Sequence, residues 1–289
     1  MRRSVILVVL AALLTAGVAP SAAQSRPLRY VIIMSFDGLR PDALRQVMPA
    51  GLLVRAAYSW DAKTTLPSST MPSHASMLSG VGPDVHTVRF NDWRPSRGYF
   101  RLATIFSVTT ASGKTSAAFV TKSKLLFFTR PGTVAHAEHL QFPAYDQTAA
   151  TRAAMRYLTR AQPHLLFIHL ADPDDAGHAH GWMSAPYMAA VRKVPDTIGI
   201  VLDVLNRMLA NDQSLVIVTA DHGGHRRTHG TADPQDVTIP WLAFGAVEPG
   251  PVRRTIMTYD TAATALAALG LSIPASWRGT SILPLGRNR

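Results

Sequence analysis

The chain has 289 residues, no cysteine and a formal charge of +11, from 29 Lys and Arg against 18 Asp and Glu. This length allows one large domain with a deep core. The absence of cysteine excludes a disulfide framework, a cysteine-derived catalytic group and attachment through a lipidated N-terminal cysteine.

Residues 1–23 read as a secretory signal. Arg2 and Arg3 open it, an apolar run extends from Val5 to about Ala19, and small residues stand at Ser21 and Ala23. The run is short and is interrupted by Thr15, Gly17 and Pro20, which disfavours an uncleaved anchor. No later segment is long and apolar enough to span a bilayer. The expectation is an exported, soluble mature chain, periplasmic or secreted, forming one domain over 24–289. Removing the signal takes away Arg2 and Arg3 and no acid, leaving +9. The basic residues, such as Arg152, Arg156, Arg160, Arg192 and Lys193, are scattered and not interleaved with aromatics. They read as a solvated basic surface that attracts anionic substrates, not as a nucleic-acid module.

Arg29 to Ser35 (RYVIIMS) is a β-branched apolar run, the pattern of a buried strand, and it ends in Phe36-Asp37-Gly38. An acid at the carboxyl end of such a strand lies where open α/β sheets place ligands. A short helix is expected over Asp42–Met48, closed by Pro49. The stretch KTTLPSSTMPSHASMLSG (63–80) then brings five small hydroxyl residues, Thr64, Thr65, Ser68, Ser69 and Thr70, up to an apolar helical pattern ending near Gly80. Thr70 stands at the expected N-cap with Pro72 in the first turn. A helix start turns its free N–H groups toward an anion, and a hydroxyl there is placed as a nucleophile if its proton is removed.

Asn91 lies in a loop, GPDVHTVRFNDW. A helix is expected at Leu102–Ser112, a strand at Thr115–Val120, an amphipathic helix at Tyr145–Arg160 and a strand at Pro163–Leu170. A long helix from about Ala185 to Leu209 bends or restarts at Pro195. Ser214–Thr219 (SLVIVT) is a strand ending in Ala220-Asp221-His222, followed by a strand at Thr238–Phe244 and a helix at Thr261–Leu269. The region from Asp84 to Tyr145 holds its elements loosely and has room for a substrate-facing insertion. Strands alternating with helices give an α/β class with a largely parallel central sheet, flanked by helices on both faces.

Three strand ends deliver acids: Asp37, Asp174 and Asp221. Asp174 has His178 four residues on, Asp221 has His222 beside it, and His229 follows. Mixed carboxylate and imidazole ligands suit zinc, with manganese or iron as alternatives, and six such ligands divide into two open sites. Each segment alone fits a capped turn or a solvated loop, and His180 and His225 are as ligand-like by type. It is four such segments at predicted strand ends in one chain that point to metal chemistry.

In this order, IIMSFDGLRPD, STMPSHASMLSG, PDDAGH, TADHGG, HGT and IPWLAFG resemble the alkaline phosphatase superfamily, within it the type I phosphodiesterase/nucleotide pyrophosphatase branch. The resemblance covers nearly all of the mature chain and implies the alkaline-phosphatase-like fold. It also implies two divalent metal ions: Asp37, Thr70, Asp221 and His222 hold one, and Asp174, His178 and His229 the other. Thr70 is then the nucleophile, forming a covalent phospho-threonine intermediate, and Asn91 hydrogen-bonds a phosphoryl oxygen. Two such ions ~4 Å apart clamp the attacking and bridging oxygens of an in-line displacement. Ser73 and Thr87 depart from the branch's usual Asn and Gly.

The substrate implied is a small phosphate ester anion, with a diester ahead of a monoester. Lys122 and Lys124, and more weakly Arg89, are the cations that would favour a monoester dianion; a solvated strand end is the alternative reading of the two lysines. A sulfatase is disfavoured, because Thr70 and His74 stand where that branch needs an aldehyde precursor and Arg. A phosphonate hydrolase and a non-catalytic exported binding protein are the remaining alternatives. Trp93, Tyr99, Trp182 and Tyr187 are the aromatics available to stack on a leaving group, although core or rim positions are the commoner role. The leaving group and the oligomeric state have no reading in the sequence.

Overall fold

The structure, a computed structural model, describes residues 26–141 and 144–282. The expected signal segment 1–23 lies outside the described residues. In chain order the elements are β1 (Tyr30–Phe36), α1 (Pro41–Val47), α2 (Ala50–Leu53), β2 (Ala57–Lys63), α3 (Thr70–Ser79) and α4 (Pro83–His86). Then come α5 (Ile105–Ala111), β3 (Ser116–Val120), β4 (His136–His139), α6 (Gln147–Ala161), β5 (Leu165–Leu170), α7 (Asp172–His180), α8 (Ala185–Arg192) and α9 (Val194–Arg207). The last are β6 (Ser214–Thr219), α10 (Pro234–Val237), β7 (Thr238–Gly245), β8 (Gly250–Pro251) and α11 (Asp260–Ala268).

The strands form one sheet in the order β4-β3-β5-β1-β6-β7-β2-β8. The run from β4 to β6 is parallel, and β7 is antiparallel to both of its neighbours. Every residue of β1, β5 and β6 is buried, as an apolar run covered on both faces requires. Helices α3, α5 and α11 pack together on one face, while α1, α6, α8 and α9 cover the other. The α/β architecture expected from alternating elements is present. β1 lies between β5 and β6, with connections leaving in opposite directions. That arrangement opens a crevice at the carboxyl ends of these three strands.

Several boundaries differ from expectation. Ser69, not Thr70, is the N-cap of α3, in extended backbone and without a side-chain cap bond; Thr70 is the first helical residue. Asp174 is not at a strand end: α7 starts at Asp172 directly after β5, placing Asp174 in its first turn. The long helix is two, α8 and α9, meeting at Lys193, and Pro195 sits in the first turn of the second, where a missing N–H costs nothing. Strands β2, β4 and β8 had no sequence signal. β2 and β4 are partly exposed and so lack a continuous apolar run.

The segment after Asp84 also contributes more to the core than expected. β3 and β4 from it extend the main sheet, which leaves the arch between α4 and α5 as its irregular part.

Candidate active site

Asp37 follows β1, Asp221 and His222 follow β6, and Asp174 and His178 stand one turn apart on α7. The i,i+4 spacing puts these last two on one helix face, with His178 Nε2 3.5 Å from Asp174 Oδ1. His229 comes from a tight hairpin after β6 and reaches the same place: its Nε2 is 3.1 Å from His178 Nε2 and 3.7 Å from Asp174 Oδ1. His222 Nε2 is 3.2 Å from Asp37 Oδ1 and 3.4 Å from Asp221 Oδ2.

These separations suit metal ions. A tetrahedral ion with ligands at about 2.0 Å sets its ligand atoms roughly 3.3 Å apart. Asp37 Oδ1, Asp174 Oδ1, Asp221 Oδ2 and His222 Nε2 are all buried without a hydrogen-bond partner. Orphaned buried atoms are costly, and four in one crevice form a donor set that cations would satisfy. The other ring nitrogens are already engaged: His222 Nδ1 with Gly223 O, His178 Nδ1 with Arg227 O and His229 Nδ1 with Ser68 O. Each such bond makes Nδ1 the donor and turns Nε2 toward the cluster. Two groups thus form, Asp37 with Asp221 and His222, and Asp174 with His229 and His178. His222 also lies within ligand range of Asp174 and His229.

Thr70 is buried at the start of α3, and its Oγ1 lies 3.5 Å from Asp37 Oδ2. Asn91 belongs to the arch, yet its Oδ1 accepts from the Met71 N–H at 3.1 Å and from Lys124 Nζ at 3.1 Å. Two donors on the carbonyl oxygen leave the amide NH₂ to face elsewhere. Lys122 points inward, its Nζ 2.8 Å from Asp37 Oδ2 and also bonded to Asp174 Oδ2. Arg89 is exposed.

The charges are strongly coupled. Burial raises Asp37, but Lys122 and the neighbouring His169 and His222 outweigh it and hold the carboxyl well below the ordinary range. Burial and the nearby Asp37 push Asp221 up to about 7. Burial opposes a charge on His222, but Asp221, Asp37 and Asp174 raise it to about 9. His229 is lowered to about 4 by burial and by His222, so it is neutral and able to ligate.

Other residues singled out by type have different surroundings. His225 pairs with Asp236, and His180 is exposed at the end of α7. His74 is buried between Ser35 and the Thr70 carbonyl. Ser73 accepts from Thr64 Oγ1, and Thr87 adopts the left-handed region with φ 57°. Tyr187 donates to Gly38 O. Trp182 also donates to Gly38 O, and its ring meets those of His178 and His229 edge-on, 5.1 and 5.9 Å between centroids. Trp93 and Tyr99 pack against each other in the arch. Beside them a cavity of about 490 Å³ is lined by Val88, Phe90, Tyr99, Phe100, Arg101 and Phe127, among others.

His169 is a further member of the cluster that the metal-ligand pattern of the sequence does not point to. It is fully buried on β5, and its Nε2 lies 3.0 Å from Asp37 Oδ2. Burial lowers it to about 4, so it is neutral and donates from Nε2. A histidine inside the apolar run PHLLFIHL was the available signal.

Residues 31–230 match the profile of the type I phosphodiesterase / nucleotide pyrophosphatase family. Human GPI ethanolamine phosphate transferase 1 is 23% identical over 270 residues, 82% of this chain and 28% of that protein. Mouse ectonucleotide pyrophosphatase/phosphodiesterase family member 1 is 22% identical over 227 residues, 71% of this chain and 24% of that protein. The chain therefore spans only about a quarter of these curated relatives' length. Among solved structures, murine ectonucleotide pyrophosphatase / phosphodiesterase 5 in complex with AMP superposes with a TM-score of 0.71 at 14% identity, covering 85% of this chain and 96% of that one. At that identity the likeness is one of fold.

Proposed function

We propose that this chain, which belongs to the type I phosphodiesterase / nucleotide pyrophosphatase family of the alkaline phosphatase superfamily, hydrolyses phosphoric esters through a covalent intermediate on Thr70. The observation that carries the reading is the convergence of four orphaned ligand atoms beside a buried threonine hydroxyl at a helix start. Two divalent cations, zinc by preference, would offset the carboxylate charge, acidify the threonine hydroxyl and polarise the phosphoryl group.

The residues then divide the work. Thr70 gives up its hydroxyl proton to solvent and its Oγ1 attacks phosphorus in line with the ester oxygen; the Oγ1–P bond forms as the P–O bond to the alcohol breaks, and the departing alkoxide takes up a proton from solvent. Water next attacks phosphorus from the side the alcohol has left, opposite Oγ1, and gives up a proton as the Oγ1–P bond breaks and Thr70 is regenerated. The Asn91 amide N–H, oriented by Met71 and Lys124, stabilises a non-bridging oxygen in both steps. His169 holds Asp37 through Oδ2, leaving Oδ1 directed at the cation site.

Two alternatives rest on specific observations. Lys124 beside Asn91 adds a positive charge at the phosphoryl position, which favours a monoester dianion. Among the relatives are transferases, in which an alcohol would replace water as acceptor. Export of the mature chain follows from the leading segment and belongs to the same proposal. Among the described residues no helix is long and apolar enough to cross a membrane.

The test is the purified chain, stripped with a chelator and reloaded with zinc, assayed on monoesters, diesters, sulfates and phosphonates, with acid-quenched reactions mapped for phosphate on Thr70. Phosphoric ester turnover that returns with zinc, with label on Thr70, is the expected result. Turnover that survives Thr70→Ala, or no turnover on any phosphoric ester, overturns the reading.

A further inference from the structure

Asp236 is a fully buried carboxylate outside the ligand groups, and it takes three donors. Oδ1 accepts from His225 Nδ1 at 2.7 Å. Oδ2 accepts from the Thr231 N–H at 3.0 Å and from the Thr231 hydroxyl at 2.7 Å. These partners stand at the two ends of segment 225–231, whose turn is closed by paired main-chain bonds between His225 and Thr228, 2.9 Å each. His229 lies within this segment. Its other flank is held by Ser68, which accepts from His229 Nδ1 through its carbonyl and donates from Oγ to Thr231 O at 2.7 Å.

We propose that Asp236, through His225 and Thr231, is the positioning residue that holds His229 in place for the second cation. The inference rests on the two-cation reading above. An ionised carboxylate only accepts, so it can gather three donors at once; an amide would turn N–H groups toward one of them. Ligand distances at zinc leave a tolerance of tenths of an ångström, and the outer groups that orient a ligand typically govern 10- to 100-fold in metal affinity.

The network also discriminates between the two sites. Among the described residues, the bond from Asp236 toward the His222 side is made by its backbone carbonyl, which accepts from Gly223 N at 2.8 Å. A change of its side chain leaves that bond in place and acts on the His229 hairpin. The second ion is therefore the one affected.

The test is zinc binding to the apo chain, by titration calorimetry in competition with a chelator, alongside circular dichroism for folding. Wild type should take up two equivalents. Asp236→Asn should keep one at wild-type affinity and weaken the other by about 10- to 100-fold. Thr231→Val should weaken the same equivalent by about tenfold, and Thr231→Ser, which keeps the hydroxyl, should restore it. Two unchanged equivalents in both Asp236→Asn and Thr231→Val overturn the inference alone. If Asp236→Asn does not fold, the Thr231 pair decides. A wild-type chain that takes up no zinc overturns the two-cation reading as well.

Discussion

The imidazole rings of His222 and His229 stack face to face, 3.8 Å between centroids and 18° between planes. One ring serves the Asp37 group and the other the Asp174 group, so the two candidate sites share a wall. The stack also divides the protons. Surrounding carboxylates raise His222 to about 9, and burial together with the His222 charge lowers His229 to about 4.

That division sets a pH dependence. In the ion-free chain His222 is protonated at pH 7, so a cation must displace its proton. Apparent zinc affinity of the first site should rise by roughly tenfold per pH unit between about pH 7 and pH 9, more steeply below pH 7 where Asp221 is protonated as well, and level off above about pH 9. Stability of the ion-free chain should run the other way. A raised folded pKa stabilises below the unfolded value and the contribution is lost as pH rises through the folded one. With His222 at about 9 and Asp221 at about 7, the melting temperature of chelated protein should fall between about pH 6.5 and pH 9; below that window His229 and His169, lowered to about 4, contribute the opposite slope. Calorimetry at half-unit intervals checks both slopes; a chelated protein that grows more stable toward pH 9 contradicts them.

Asn91 should matter to rate more than to metal. Its oxygen is tied to Met71 and Lys124, and on the proposed mechanism its amide would donate to the phosphoryl oxygen. Asn91→Ala should lower kcat/KM by about 10²- to 10³-fold, the usual cost of one such donor, while zinc stoichiometry stays at wild-type level. Steady-state kinetics paired with metal analysis checks this, and loss of zinc in the variant would assign Asn91 a different role.

Lys124 should set the choice between esters. Lys124→Ala removes a cation beside the phosphoryl position, where a dianion gains more than a monoanion. Monoester kcat/KM should fall by about tenfold or more relative to diester. Lys122→Ala should instead reduce both alike, because its ammonium is bonded to Asp37 and Asp174. Equal losses on the two ester classes for Lys124→Ala would contradict the assignment.

Gly224 leaves room for Trp182. A Cβ there would come 2.2 Å from the indole Cε2, and the ring has Gly177 against it as well. Gly224→Ala should therefore destabilise the fold by about 1–3 kcal/mol. By displacing the ring that backs His178 and His229 it should also weaken zinc binding at the second site. Thermal melts with and without zinc check this: a variant with wild-type melting and zinc uptake would mean the indole gives way without consequence.

Much of this chain was legible before folding. β1, β5 and β6 announce themselves as apolar runs because both faces of each are covered, and the acids after β1 and β6 follow from their position at the strand ends. The 3.6-residue period of α7 puts Asp174 and His178 on one face once the helix is recognised. These features are set by neighbours within a few residues, which is why sequence alone determines them. The tertiary structure decided the rest. The order β5-β1-β6 brings Asp37, Asp174 and Asp221 into one crevice, turns Lys122 inward onto two carboxylates 85 and 52 residues away, and seats His169 against Asp37 across 132 residues. Partners so far apart leave no periodicity in the chain; they are chosen by the cost of burying a charge without a counter-charge, and that cost exists only once the sheet has closed around them.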